Sequence, residues 1–415
     1  MTLSAPPLGL YVHFPWCVRK CPYCDFNSHT LRDVLPEERY VSALIEDLAH
    51  QLPAAAGRRL TSVFLGGGTP SLFSPASIGR ILDAARAAPG LDGEIEVTLE
   101  ANPGAVERGR FGEYRAAGVN RVSLGAQSFD PARLRALGRI HSPDETRRAA
   151  EELHAADLPN FNLDLMYALP DQDAADALAD VEQAIGLAPA HVSHYQLTIE
   201  AGTVFAASPP PLPSDDAAAE MLDVCGERLA GAGYERYETS AYARDARRAR
   251  HNGNYWSFGD YLGIGAGAHG KLTDPQAGRI VRTVHAREPR RYLAVPTSLV
   301  RRAVEPEDLP FEFMLNALRL LEGFEVRLFE TRTGLSFAKV RRVLERLEAR
   351  GLVICAGSCW KPTPLGARFL NDLLLEFLPD AQGTASGSVS TARSTLSAAD
   401  RRRPLYTGHD SAAGK

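Results

Sequence analysis

Short hydrophobic runs alternate over the first two hundred positions with longer stretches whose apolar residues return every three or four places. The runs 9–13, 62–65, 95–100, 121–124, 161–166 and 191–197 have the length and the aliphatic and aromatic content of strands. The stretches 37–51, 75–88, 108–117, 131–137, 143–156 and 174–187 each present one apolar face, as helices covering a sheet do. Six strand–helix units in series imply parallel strands with right-handed crossovers. Parallel strands covered on both faces, as in barrels, carry near-continuous apolar runs of this kind.

After residue 200 the rhythm changes. Prolines stiffen 208–213, a helical pattern spans 215–232, and a β-like run follows at 235–242. An arginine-rich stretch, 244–250, leads directly into His251-Asn252-Gly253-Asn254-Tyr255-Trp256, and 262–269 is glycine-rich. From 306 to 378 the pattern is a helix at 310–321, a helix at 337–350, and a small hairpin formed by 351–354 and 360–363. That order is winged-helix-like. Arg341, Arg342 and Arg346 lie on its second helix, but Glu345 and Glu348 interleave with them, which reads as a solvated face. The tail is rich in Ser, Thr, Ala, Gly and Arg and reads as disordered. The expected divisions are 1–205, a β/α core; 206–300, an α/β extension; 301–380, the winged-helix-like module; and 381–415, the tail.

Composition narrows the function without naming it. A chain of 415 residues, 45% hydrophobic and 23% charged, is ordinary for a globular protein of two or three domains. A net charge of −5 gives no general attraction to nucleic acid. The start has no basic segment followed by an apolar one, and no apolar run approaches the roughly 18–20 residues that cross a bilayer. Six cysteines, half of them crowded into one loop, favour metal in a reducing cytoplasm over a disulfide scaffold. A cytoplasmic location is expected.

That loop is Cys17-Val-Arg-Lys-Cys21-Pro-Tyr-Cys24, directly after the first strand. Thiolates suit iron–sulfur clusters or zinc. Three sulfurs around four irons leave one iron open to a small molecule, whereas zinc would recruit a fourth ligand such as His13. Other candidates also sit at the carboxyl ends of the runs, where barrel-type folds place their chemistry. Gly66-Gly67-Gly68-Thr69-Pro70 follows the second run, Glu100-Ala-Asn102-Pro103 ends the third, Gln127-Ser128-Phe129 follows the fourth, and Asp164 lies on the fifth. Cys225 reads as a buried helical residue, and Cys355 and Cys359 as incidental.

The C-x3-C-x2-C spacing resembles that of the radical S-adenosylmethionine (SAM) superfamily. Over roughly residues 8–270 the chain is most similar to the oxygen-independent coproporphyrinogen oxidase group. The resemblance implies a partial (β/α)6 TIM-like barrel with the winged-helix-like α+β module attached. It also implies a 4Fe–4S cluster on Cys17, Cys21 and Cys24, with SAM held by Tyr11, Gly67, Gly68, Thr69, Glu100, Gln127, Arg139 and Asp164. The chemistry is apt: an arginine pairs with a carboxylate, and a glutamate attracts an ammonium or sulfonium. Two features depart from the oxidase. Phe26 stands where it carries a further cysteine, and only sixteen residues precede Cys17.

His251–Trp256 matches the H-N-x-x-Y-W motif of HemW-type heme chaperones. This implies heme as a further ligand, with His251 on its iron. Tyr255 and Trp256 would lie on the porphyrin, and Arg247, Arg248 or Arg250 would meet its propionates. His13, His141, His194 and His269 are the alternative ligands. The implied partner is a heme-accepting protein, membrane-bound if respiratory, which would bring the chain to the membrane periphery; pairing of two copies stays open, and no nucleic acid is expected. Two rival functions remain: a radical SAM enzyme acting on a tetrapyrrole, and an iron–sulfur redox sensor that binds DNA through its C-terminal module.

Overall fold

The computed structural model describes residues 3–104 and 109–379; the tail 381–415 lies outside the described residues. All six apolar runs are strands: β1 (Leu8–Phe14), β2 (Leu60–Gly67), β3 (Leu91–Ala101), β4 (Arg121–Gln127), β5 (Phe161–Tyr167) and β6 (His191–Gln196). They pair in sequence order and in parallel. Helices Glu37–Ala55, Pro75–Ala87, Phe111–Ala117, Pro131–Ala136, Pro143–Ala155 and Ala174–Gly186 supply the crossovers. Several begin where the sequence supplies an oxygen for their unpaired amides. Ser142 with Glu145, and Asp173 with Asp176, form reciprocal capping boxes, while Ser74 and Asp130 cap two others.

The barrel does not close. The six strands lie within a twelve-stranded sheet. Beyond β1 a seventh parallel strand, Asp260–Ile264, pairs with it, followed by His269–Asp274, Arg279–His285 and Leu299–Ala303 in antiparallel order. Beyond β6 the β-like run at 235–242 divides into Glu235–Arg236 and Ala241–Ala243, both antiparallel. The glycine-rich stretch therefore contains a strand that its composition hides. One apolar core runs from β1–β6 into both extensions of the sheet, so Cys225, Leu229, Tyr242, Leu262 and Ile264 are buried together with the strands β1–β6.

The C-terminal module has its own core around Phe313, Phe329, Val340, Leu344 and Trp360. Helices Leu309–Ala317, Val326–Thr333 and Ala338–Ala349 pack with a three-stranded antiparallel sheet made of Phe324–Glu325, Cys359–Pro362 and Val353–Ala356. The winged-helix-like expectation is met, with three helices beyond the two that the sequence suggested: Val326–Thr333, Pro364–Arg368 and Leu370–Leu375. Phe258 belongs to this second core and packs against Phe313 at 5.7 Å, edge to face. Since Phe258 directly follows the helix that carries His251, module and helix are packed as neighbours.

Candidate functional site

The interior face of the half-barrel is polar, and the strand period explains why. Side chains two apart share a face, which aligns Glu96, Thr98 and Glu100 on β3, Arg121 and Ser123 on β4, Asn162 and Asp164 on β5, and His191, Ser193 and Tyr195 on β6. Glu100, Arg121, Ser123, Asn162, Asp164, Ser193 and Tyr195 wall a cavity of about 160 Å³, while Glu96, Thr98 and His191 are not part of its lining. Cys17, Cys21, Cys24, Gly67, Gly68, Thr69, Glu100, Gln127, Arg139, Asp164 and His251 all line it. Tyr11 is the exception among the expected residues. Its ring stands behind the wall, stacked on Phe64 at 5.8 Å, with its hydroxyl bonded to His13 Nδ1 at 2.7 Å.

The three cysteines crown one side of the mouth. Their loop is clasped from two directions: the backbone amides of Gly68 and Thr69 donate to the carbonyls of Phe14 and Trp16, and Arg139 reaches Cys21 Sγ at 3.9 Å. Burial pushes the Cys17 thiol up to about 11 and raises that of Cys24. Metal binding at these sulfurs therefore displaces protons. The donor set fits an iron–sulfur cluster better than zinc. His13 is spent, with Nδ1 bonded to Tyr11 and Nε2 to the Asn27 carbonyl at 2.9 Å. Among the described residues, no three His, Cys, Asp or Glu side chains converge on a single-ion site.

Behind the cysteines the glycine turn holds a shape that side chains resist. Gly67 has φ +114°, and a Cβ there would come within 2.5 Å of His13. Its amide donates to Glu100 Oε2 at 2.9 Å. Burial, reinforced by the charge of Asp164 and opposed by that hydrogen bond, lifts the Glu100 carboxyl to about 8. Asp164 accepts from Asn162 at 2.8 Å and Ser123 at 3.2 Å; burial raises it too. Gln127 sits at φ +67°, in the left-handed region, where β4 loses register with β5. Such strain concentrates at functional positions; here it accompanies a hydrogen bond from the Tyr195 hydroxyl to Gln127 Oε1 at 2.7 Å. Arg139 donates to Asn102 at 2.6 Å and to the Gly125 carbonyl at 2.7 Å.

His251 forms part of the cavity floor. It opens the helix Arg250–Trp256, is 3% exposed, and its ring stacks on Phe64 with centroids 4.2 Å apart. Nδ1 lies 2.6 Å from Glu96 Oε1. Burial keeps the imidazole neutral against the pull of Glu96. Against its own burial, the His251 side chain first, then the charge of Arg121 and the Arg250 amide, hold the Glu96 carboxyl well below the usual range. None of His13, His141, His194 or His269 lines this cavity. The expected propionate partners are elsewhere as well: Arg248 is paired with Glu235 and Glu322, Arg250 with the Glu94 carbonyl, and Arg247 is not part of the lining. The arginines and lysine that do line the cavity are Arg19, Lys20, Arg121 and Arg139. Arg121, Ser123, Asn162, Ser193 and Tyr195 also line the cavity, and the sequence reading does not single them out. Polar residues at every second position of otherwise apolar runs were the signal for most of them.

Residues 11–184 match the radical SAM superfamily, and residues 304–369 match the HemN C-terminal domain. The chain is 48% identical over 378 residues to the heme chaperone HemW of Escherichia coli (strain K12), covering 91% of this chain and 100% of that protein. It is 46% identical to the HemW of Haemophilus influenzae, over 90% and 99% of the two chains. With the mouse protein named radical S-adenosyl methionine domain-containing protein 1, mitochondrial, it shares 40% identity over 68% of this chain and 63% of that one. The crystal structure of E. coli coproporphyrinogen III oxidase (HemN) superposes with a TM-score of 0.75 at 23% identity over 90% of each chain, a likeness of fold.

Proposed function

We propose that this chain, which belongs to the HemW family of heme chaperones within the radical SAM superfamily, binds heme on His251 inside the cavity whose mouth carries Cys17, Cys21 and Cys24, and passes it to an acceptor hemoprotein. The observation that carries the reading is the sharing of one cavity by the cysteine trio and a buried, neutral histidine. A 4Fe–4S cluster held by three thiolates supplies one iron with an open coordination position, where the amino and carboxylate groups of SAM can bind.

Around that position each side chain has work suited to its chemistry. Glu100, once it has given up its proton, would accept a hydrogen bond from the SAM amino group. Arg139, already charged beside Cys21, meets the carboxylate. Asp164 and Gln127 take the ribose hydroxyls, and the Gly67–Gly68 backbone lets the methionine end approach. His251 presents its remaining ring nitrogen to the heme iron. Phe26 lies on the cavity wall, where a further cysteine would favour the oxidase chemistry. On the C-terminal module, Arg346 and Arg350 are engaged by Glu376 and Arg341 lies over the Phe337 ring, which supports a contact module over a DNA-binding one. Among the described residues no helix is long and apolar enough to cross a membrane. We read the acceptor as a respiratory hemoprotein met at the membrane surface.

Transfer is the direct test. Heme-loaded protein with intact cluster, mixed anaerobically with an apo-hemoprotein, should lose its Soret band as the acceptor's band grows. Stoichiometric 5′-deoxyadenosine coupled to a decarboxylated porphyrinogen would establish the enzyme reading instead.

A further inference from the structure

We propose that Glu96 is a positioning residue for the heme ligand: it fixes which nitrogen of His251 faces the cavity and strengthens that nitrogen as a donor to iron. The inference rests on the reading of His251 as the ligand.

Glu96 lies on β3 two places below Thr98 and four below Glu100, so it points to the same interior face at a deeper level. It is 5% exposed, His251 3% and Arg121 2%. Its Oε1 sits 2.6 Å from His251 Nδ1 and accepts the His251 backbone amide at 3.0 Å; Oε2 accepts the Arg250 amide at 2.9 Å. Arg121 Nε approaches Oε2 at 3.8 Å and adds a positive charge behind it. A carboxylate that receives two backbone donors has only acceptor capacity to offer the ring, so the proton between them belongs to Nδ1. Nε2 then carries the lone pair. The Phe64 ring, parallel to the imidazole within 8°, fixes its rotation. Thr98 Oγ1, at 3.5 Å, is too distant to compete for Nδ1.

Carboxylate–histidine–metal chains of this form set the tautomer and raise the basicity of the ligand. A glutamate serving only to cap the helix would need no contact with the ring. The ring contact, shorter than either backbone contact, is what the ligand role requires.

The two roles separate in Glu96→Gln, whose amide oxygen can still accept from the helix but carries no charge. Heme-loaded Glu96→Gln, with wild-type cluster content and melting temperature, is expected to show a lower ferrous iron–histidine stretching frequency and a more positive heme midpoint potential. Its heme affinity should fall roughly 10- to 100-fold. If the variant does not accumulate in folded form, Glu96→Asp carries the same readouts, its retracted carboxylate shifting both in the same directions. An unchanged stretch and potential in the folded variant would reduce Glu96 to a cap and overturn the inference. His251→Ala keeps the two claims apart. If it binds heme with the wild-type spectrum, the ligand reading itself fails; if it does not, while Glu96→Gln matches wild type, only the present inference fails.

Discussion

Between the Gly67 amide and Asp164, the Glu100 carboxyl has one hydrogen bond, a neighbouring acid and only the cavity on its open side. Its carboxyl, normally near 4.5, is lifted to about 8, so the ligand-free protein holds a neutral acid there at pH 7. A SAM amino group that donates to this carboxyl must displace that proton. SAM affinity should therefore climb as pH rises through about 6 to 8, by up to about tenfold per unit, and level off above. Binding at pH 7 should release a proton, read by calorimetry in buffers of different ionisation heat. The sign for folding is opposite. The unfolded chain ionises near 4.5 while the folded one does not until about 8, so stability falls across that window as pH rises. Glu100→Gln should flatten both profiles; a pH-independent affinity in the wild type would show that no SAM amino group meets this residue.

At the scale of elements, the cluster loop is shaped by its neighbours as much as by its own residues. Gly138 follows the helix Pro131–Ala136, has φ +70°, and a Cβ there would lie 2.6 Å from Pro22 Cδ. Gly138→Ala should push the Cys21–Cys24 segment outward, and iron and sulfide per chain after anaerobic reconstitution should fall at least twofold while the fold persists. Full cluster content would show the loop to be indifferent to that contact. Much of this architecture is legible in the sequence, because β1–β6 are buried on both faces and their apolar runs carry little ambiguity. The cysteine loop and glycine turn are equally plain, since few other structures need those residues in that order. What stays hidden has physical reasons. Asp260–Ile264 is a strand only because β1 offers it an edge, and four glycines between Gly259 and Gly267 mask it. Tyr11 lies on β1, none of whose residues lines the cavity, and its hydroxyl turns to His13. The arginines before His251 are close to it in sequence, but the helix start directs them to Glu235, Glu322 and the Glu94 carbonyl. Glu96 is invisible because its partner lies 155 residues away.

Taken whole, the molecule brings residues far apart in the chain to one cavity by lengthening a sheet at both edges. The join beside β1 is locked by Asp260, fully buried, which accepts from Arg58 at 2.7 Å and Lys271 at 3.0 Å. The join to the C-terminal module runs through Arg282 with Glu312 at 2.8 Å and Glu238 with Arg319. The cavity floor joins Glu100 of β3 to His251 and Asn252 of the extension, and the C-terminal module packs beside the same helix through Phe258. The central claim is that this floor holds heme while the cysteine mouth holds a cluster. Anaerobic heme titration of cluster-loaded wild type and His251→Ala, followed at the Soret band with iron and sulfide counted in the same samples, tests it directly. The account predicts equal cluster content and a heme affinity at least tenfold weaker in the variant, with an altered Soret maximum. Identical titration curves and spectra would contradict it.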